Sequence, residues 1–267
     1  MTRSITTGVA AAAIVSLALT GCGASASDVP AFEEIEGDMW ESMAASEAVA
    51  MTAVLPEAMS SDAAIIEEML GGNLSDLQIY GSLDESATAI RLGEDQEPIM
   101  SFFGDEVYVS MDMIQQTMNS SMAEEAELEG KYLDISDDYD AASGTVDVAD
   151  LLEDMRSTAE SGGADEVTGF DFGQLQSEGS YMQLDMESDD TGWFYSIDGE
   201  DENAIMNGEA EQFIGLASDR EAPRLLEIRD GDTSMDFSWD DEVEIPQRPS
   251  EDQLVTEEDV MGMALGQ

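Results

Sequence analysis

Apolar residues recur along this chain with two periods, and the changes of period divide it into elements. Phe32, Ile35, Met39, Trp40 and Met43 fall at helical spacing behind a Ser27/Asp28 start signal, with Pro30 placed for a first turn. That spacing predicts an amphipathic helix. Residues 49–55 read as a strand, and residues 61–70 as a short helix stopped by Gly71-Gly72. From Leu77 the pattern turns two-fold: residues 77–83, 87–92, 98–103 and 106–110 are short runs separated by turn signals such as Gly104-Asp105. They predict a meander. Helical spacing returns at Met111, Ile114, Met118 and Met122, a strand at 131–135, and a helix at 148–158 before Ser161-Gly162-Gly163. The second half predicts strands at 180–186, 193–197, 204–206, 212–217, 224–229 and 234–239, the last two joined by the hairpin signal Asp230-Gly231. Met182, Leu184 and Met186 alternate with polar residues, as do Met235, Phe237 and Trp239, so one face of these strands is expected to be buried and the other wet. Residues after 244 are proline-punctuated and read as extended, with a loose final helix.

The first thirty residues follow another logic. Arg3 is the only charge before Asp28, and residues 8–19 are apolar. A run of about a dozen is too short to span a bilayer, which takes about 20 residues. A positive start, a short apolar stretch and small residues are the layout of a secretory signal. It ends in Leu19-Thr20-Gly21-Cys22, which resembles the lipobox of bacterial lipoproteins. The resemblance implies that the Cys22 thiol receives a diacylglycerol, that cleavage precedes it, and that the new amino terminus is acylated. Two or three acyl chains give stable anchoring where one does not. The competing reading is an ordinary signal peptide with an incidental cysteine. The expected organisation is a signal peptide (1–21), a lipidated tether (22–30), one folded domain (31–255) and a loosely ordered tail (256–267). The expected location is the extracytoplasmic face of the cell membrane, with the cytoplasmic membrane as partner through acylated Cys22. Cys22 is the sole cysteine, so no disulfide staples the fold.

Charge narrows the choice of partners. The chain carries 62 acidic and 8 basic side chains, a formal charge of −54. Cleavage before Cys22 would remove Arg3 and leave seven basic against 62 acidic, or −55. Apolar residues still make up 42%, with clear periodicity, so the reading is a folded domain and not a disordered acid tract. The acids are spread along the chain, a pattern resembling secreted proteins of salt-loving bacteria, in which high ionic strength screens self-repulsion. A cation-binding acidic face is the alternative. Nucleic acid is excluded as a partner, because no basic stripe exists to meet phosphates.

Catalytic chemistry is sparse. Without histidine, no Ser-His-Asp or Cys-His arrangement can be built, and no imidazole can hold a transition metal. No nucleophile elbow or phosphate loop occurs. Paired carboxylates suit glycoside hydrolysis, but three tryptophans offer little to line a sugar cleft. The expectation is no enzyme, no cofactor and no metal. The stretch 187–198 (ESDDTGWFYSID) approaches the spacing of a calcium loop, yet strand patterns flank it where helices are required, so a hairpin turn is the better account. Residues 135–140 (ISDDYD) read first as a solvated turn, then as a cation site. The eighteen methionines suit either an adaptable apolar binding surface or plain core filling.

Three stretches, GDEVYVSM (104–111), KYLDISDDYDAASGTVDVADLLEDM (131–155) and SMDFSWDDEVEIPQRPSEDQL (234–254), resemble the LppX/LprAFG group of actinobacterial lipoproteins and, more distantly, the LolA/LolB carriers. The resemblance implies an α+β fold: a strongly curved antiparallel sheet, a half-barrel, with the N-terminal amphipathic helix and further helices covering its concave face. It also implies an apolar cavity for lipid or lipoprotein acyl chains, an envelope transporter as candidate partner, and a monomer. The alternating rows nominate Met100, Phe102, Met182, Leu184, Met186, Met235, Phe237 and Trp239 as its lining, with Met111, Ile114 and Met118 looking down on them from a helix. The expected function is binding or carrying a lipidic ligand. The alternative is an accessory or structural envelope lipoprotein with a filled core, acting through its acidic surface.

Overall fold

The computed structural model describes residues 29–54, 77–84, 86–93, 96–117, 128–137, 146–164, 169–178, 180–185, 191–197, 212–219, 221–231, 233–256 and 260. Cys22 and the signal, the helix expected at 61–70, Met118, Met122, Met186 and the strand expected at 204–206 lie outside the described residues.

The chain opens with helix α1 (Phe32–Ala44), then strand β1 (Ala48–Val54). The meander follows as β2 (Leu77–Ser82), β3 (Ala87–Leu92), β4 (Met100–Phe103) and β5 (Glu106–Ser110), running into helix α2 (Met111–Thr117). After β6 (Tyr132–Asp134) come helices α3 (Val148–Glu160) and α4 (Phe172–Glu178). The second half supplies β7 (Ser180–Asp185), β8 (Thr191–Ser196), β9 (Gln212–Ala217), β10 (Leu225–Asp230) and β11 (Thr233–Trp239), and the chain returns in β12 (Leu254–Val255). The fold is α+β. All twelve strands form one open sheet in the order β12-β6-β5-β4-β3-β2-β1-β11-β10-β9-β8-β7. The sheet is mixed and not wholly antiparallel, because β12 pairs parallel to β6.

Local chemistry explains the boundaries. Asp147 caps α3, its carboxylate accepting from the Ala149 backbone N–H at 2.8 Å. The start expected for α1 is corrected: its N-cap is Ala31, without a side-chain cap, so Pro30 stands outside the helix. The Pro30 carbonyl instead accepts from the buried Tyr195 hydroxyl at 3.0 Å, which ties the chain entering α1 to the sheet. Gly231 adopts φ 59° in the turn between Asp230 and Thr233, the left-handed conformation a two-residue hairpin loop requires.

The helices α1, α3 and α4 share one apolar cluster with alternate residues of β1 and β8–β11. Phe32, Met39, Trp40 and Met43 of α1 meet Leu152 and Met155 of α3, Phe172 and Leu175 of α4, and Met51, Tyr195, Ile214, Ile228 and Phe237 of the sheet. Each side chain fully removed from water here contributes about 1.5–3 kcal/mol before entropy is counted. At the far end of α1 the closure is polar. Asp240 accepts from the Glu47 backbone N–H at 2.8 Å and pairs with Arg224, whose Nε reaches Ser42 Oγ at 3.4 Å. Across the sheet, a second cluster joins Ala48, Ala50, Tyr80 and Ala89 to Val243, with Ile245 packed against it, so the chain after β11 lies on the opposite face.

Candidate functional site

Residues that pair across strands share a face, so the register traces rows through the sheet. One row runs Leu133, Val109, Met100, Ile90, Ile79, Met51, Phe237, taking one residue from each of seven adjacent strands. Every member is apolar. Met51 and Phe237 belong to the core cluster shared with the helices, which fixes the helix-bearing face.

Burial is uneven along this row. Phe237, Met51 and Val109 are 5%, 4% and 7% exposed, whereas Ile79, Ile90, Met100 and Leu133 are only half-buried. Leu77 and Leu92, which pair with each other one step along the same two strands, are half-buried as well. On the reverse face of β2 and β3 the polar residues are the better covered: Gln78 and Arg91 are each 8% exposed. Burial in β2 and β3 is therefore inverted relative to polarity. Ile79, Ile90 and Met100 thus leave partly exposed apolar surface on three adjacent strands.

The nominated lining residues separate into groups. Met235, Phe237 and Trp239 sit in the core cluster; Phe237 stacks on Trp239 at 6.1 Å, and Trp239 Nε1 donates to the Leu225 carbonyl at 2.7 Å. Met100 lies at the open end of the row, with Phe102 on the same face and 2% exposed. Met111 is fully buried at the start of α2 and Ile114 is half-buried; neither belongs to the main cluster. The expectation that Met182 and Leu184 share the Met235 side meets a different register. Met182 pairs with Phe194, and Leu184 with Gly192. Phe194 in turn pairs with Gly215, Gly215 with Glu227, and Glu227 with Asp236. That row belongs to the face opposite Met235 and Phe237, which alternate with Asp236.

At the sealed side, a cleft between α1 and α3, beside Trp40, Met43, Leu152 and Arg156, holds about 120 Å³. Ligand sites for molecules of drug size run to about 300–1,000 Å³. Trp40 Nε1 is buried there without a hydrogen-bond partner among the described residues. Also among the described residues, no cluster of three or more His, Cys, Asp or Glu side chains is disposed to hold a metal ion. Of the calcium-like stretch, residues 191–196 form β8, which pairs antiparallel with β7.

Sequence reading missed Leu77, Ile79, Ile90 and Leu92 as candidates, although their alternation is plain in LQI and IRL. The signal that singles them out is not their pattern but their incomplete cover. No protein-family model matches this sequence, and no curated protein matches it.

Proposed function

We propose that this chain is a membrane-anchored extracytoplasmic lipoprotein, tethered through Cys22, that accepts an acyl chain along the open end of its apolar row. In this reading the sheet is the strongly curved half-barrel of the LppX/LprG and LolA-like kind, with the helices on its concave side. The observation that carries it is the half-exposed set Leu77, Ile79, Ile90, Leu92 and Met100, all on one face of three adjacent strands.

The anchor geometry supports the same reading. Tyr195, which holds Pro30, lies in a row with Ile214, Ile228, Met235 and Ala53. Ala53 adjoins Thr52, which pairs with Gln78, so this row reaches the strand end where Leu77 and Leu92 stand. Residues 29 and 30, where the described chain begins, thus lie toward the end where the apolar residues open. Seven residues, 22–28, stretch at most about 25 Å, which keeps that end close to the bilayer.

The second reading, an accessory lipoprotein with a filled core, draws on the dense packing between α1, α3, α4 and strands β1 and β8–β11. Two measurements decide. Metabolic labelling with a radioactive fatty acid should mark the wild type and not Cys22→Ser; label that persists in the variant removes the anchor. Mass spectrometry of organic extracts of the Cys22→Ser protein, purified without its own acyl chains, should find a co-purifying lipid. Extracts empty of lipid, with no binding of an added fatty acid, select the filled-core reading.

A further inference from the structure

The face opposite the apolar row carries a separate cleft of about 430 Å³, between β2, β3, β6 and the proline-rich chain after β11. Tyr80, Arg91 and Tyr132 form its floor, exposed by only 3%, 8% and 8%. Glu97 and Glu244 stand exposed at its rim.

Arg91 is the anomaly. Its Cζ lies 4.3 Å from the centre of the Tyr80 ring, and its Nε donates to Gln78 Oε1 at 2.7 Å. Gln78 is fixed in turn, its Nε2 donating to Thr52 Oγ1 at 3.0 Å. The guanidinium is thus held rigid, yet no carboxylate among the described residues forms an ion pair with it, in a chain with 62 acids. Arg248, also in the cleft, is by contrast spoken for by Glu106 at 3.0 Å. A guanidinium so deeply buried is stable only when its charge is matched, and its planar fork matches a carboxylate best. A bare anion would meet repulsion from Glu97 and Glu244. A bare cation would meet Arg91. A molecule carrying both charges satisfies floor and rim together. Tyr132 stays protonated: burial first, then the charge of Glu97 and a hydrogen bond to its carboxylate, push the hydroxyl up to about 12, which ties the rim to the floor.

We propose that this cleft binds a small zwitterion of amino-acid or dipeptide size, its carboxylate on Arg91 and its ammonium toward Glu97 and Glu244. The site is independent of the acyl surface. The test is calorimetric titration of the soluble Cys22→Ser protein with single amino acids and dipeptides, with acetate and ethylamine as half-ligands. At least one zwitterion should bind saturably while neither half-ligand does. Arg91→Gln should weaken that binding at least about tenfold, the scale of a lost charge-assisted contact. Because Arg91 also packs on Tyr80, the exposed rim variant Glu97→Gln provides a second reading that leaves Arg91, Gln78 and Tyr80 in place, with an expected loss of several-fold. The proposal is overturned if no zwitterion binds the folded wild type, if acetate binds as well as the zwitterion, or if Glu97→Gln and a folded Arg91→Gln both keep full affinity.

Discussion

Phe237 and Ile90 lie on the same row of the same sheet, yet one is sealed and the other half-exposed. Phe237 sits among side chains from three helices. Ile90 lies two strands beyond β1, where the shared core cluster takes in only Ile79 and Leu83 at its margin. The contrast separates two roles that a uniform apolar row would blur. The sealed end supplies the free energy that holds helices on the sheet. The open end keeps apolar surface that folding has only partly covered, and under the proposed function this is what a lipidic ligand covers.

The largest test of the contrast is truncation at each end. Phe237→Ala removes a fully packed ring and should cost about 3–5 kcal/mol in urea unfolding, the usual range for buried phenylalanine. Ile90→Ala should cost less, about 1–2 kcal/mol, because part of the side chain stays in contact with water in the folded state. Binding of a fluorescent fatty acid should respond in the opposite order, weakened by Ile90→Ala and retained by any Phe237→Ala protein that folds. Equal costs at the two sites would mean that both ends are core.

Salt acts on both ends alike and gives a smaller effect. With a formal charge of −54, self-repulsion opposes the compact state. Raising salt from about 0.1 M to about 1 M cuts the screening length from about 10 Å to about 3 Å. The melting temperature should rise, by about 2–4 °C for each kcal/mol of repulsion relieved. A flat profile would show that the charges are already compensated.

The smallest effect concerns Glu227, on the reverse face of the sealed end. Burial pushes its carboxyl above the usual glutamate range, with Arg229, bonded at 2.5 Å, opposing the shift. Asp236, its cross-strand partner, shifts the same way, again through burial, although its side chain is exposed; Glu227 therefore carries the argument. A carboxyl raised in the folded state contributes stability that is full below its unfolded value, about 4.3, and is lost as pH rises through the folded value. Glu227→Gln should therefore raise the urea midpoint at pH 7 relative to wild type. The difference should shrink as pH falls toward 4. A midpoint lowered at pH 7 would mean that the Arg229 pair outweighs burial.

Much of the sheet was legible because its strands alternate and are punctuated. The expected bounds of β3, β5 and β9 coincide with those observed, and Asp230-Gly231 marks the β10–β11 hairpin. The short helix α4 was not, since FGQLQSE offers only Phe172 and Leu175 at helical spacing. Nor was the parallel pairing of β12 with β6, which joins segments far apart in the chain. The side taken by Met182 and Leu184 failed for a sharper reason. Alternation says which residues of a strand share a face, but which face that is depends on the register with the neighbouring strands, and a slip of one residue exchanges the two. The candidate site was half legible on the same grounds. Pattern found Met100 and Phe237 but not the row that joins them, which follows from the register, and the cover comes from distant helices on one face and from residues 243–253 on the other.

The most direct test of the open end is photo-cross-linking. A fatty acid with a photoreactive group near its terminal methyl, irradiated with the Cys22→Ser protein and mapped by mass spectrometry, should label peptides containing Leu77–Leu92 and Met100. Adducts concentrated on Met235, Phe237 or Trp239, or scattered over the acidic surface of a folded protein, would contradict the account.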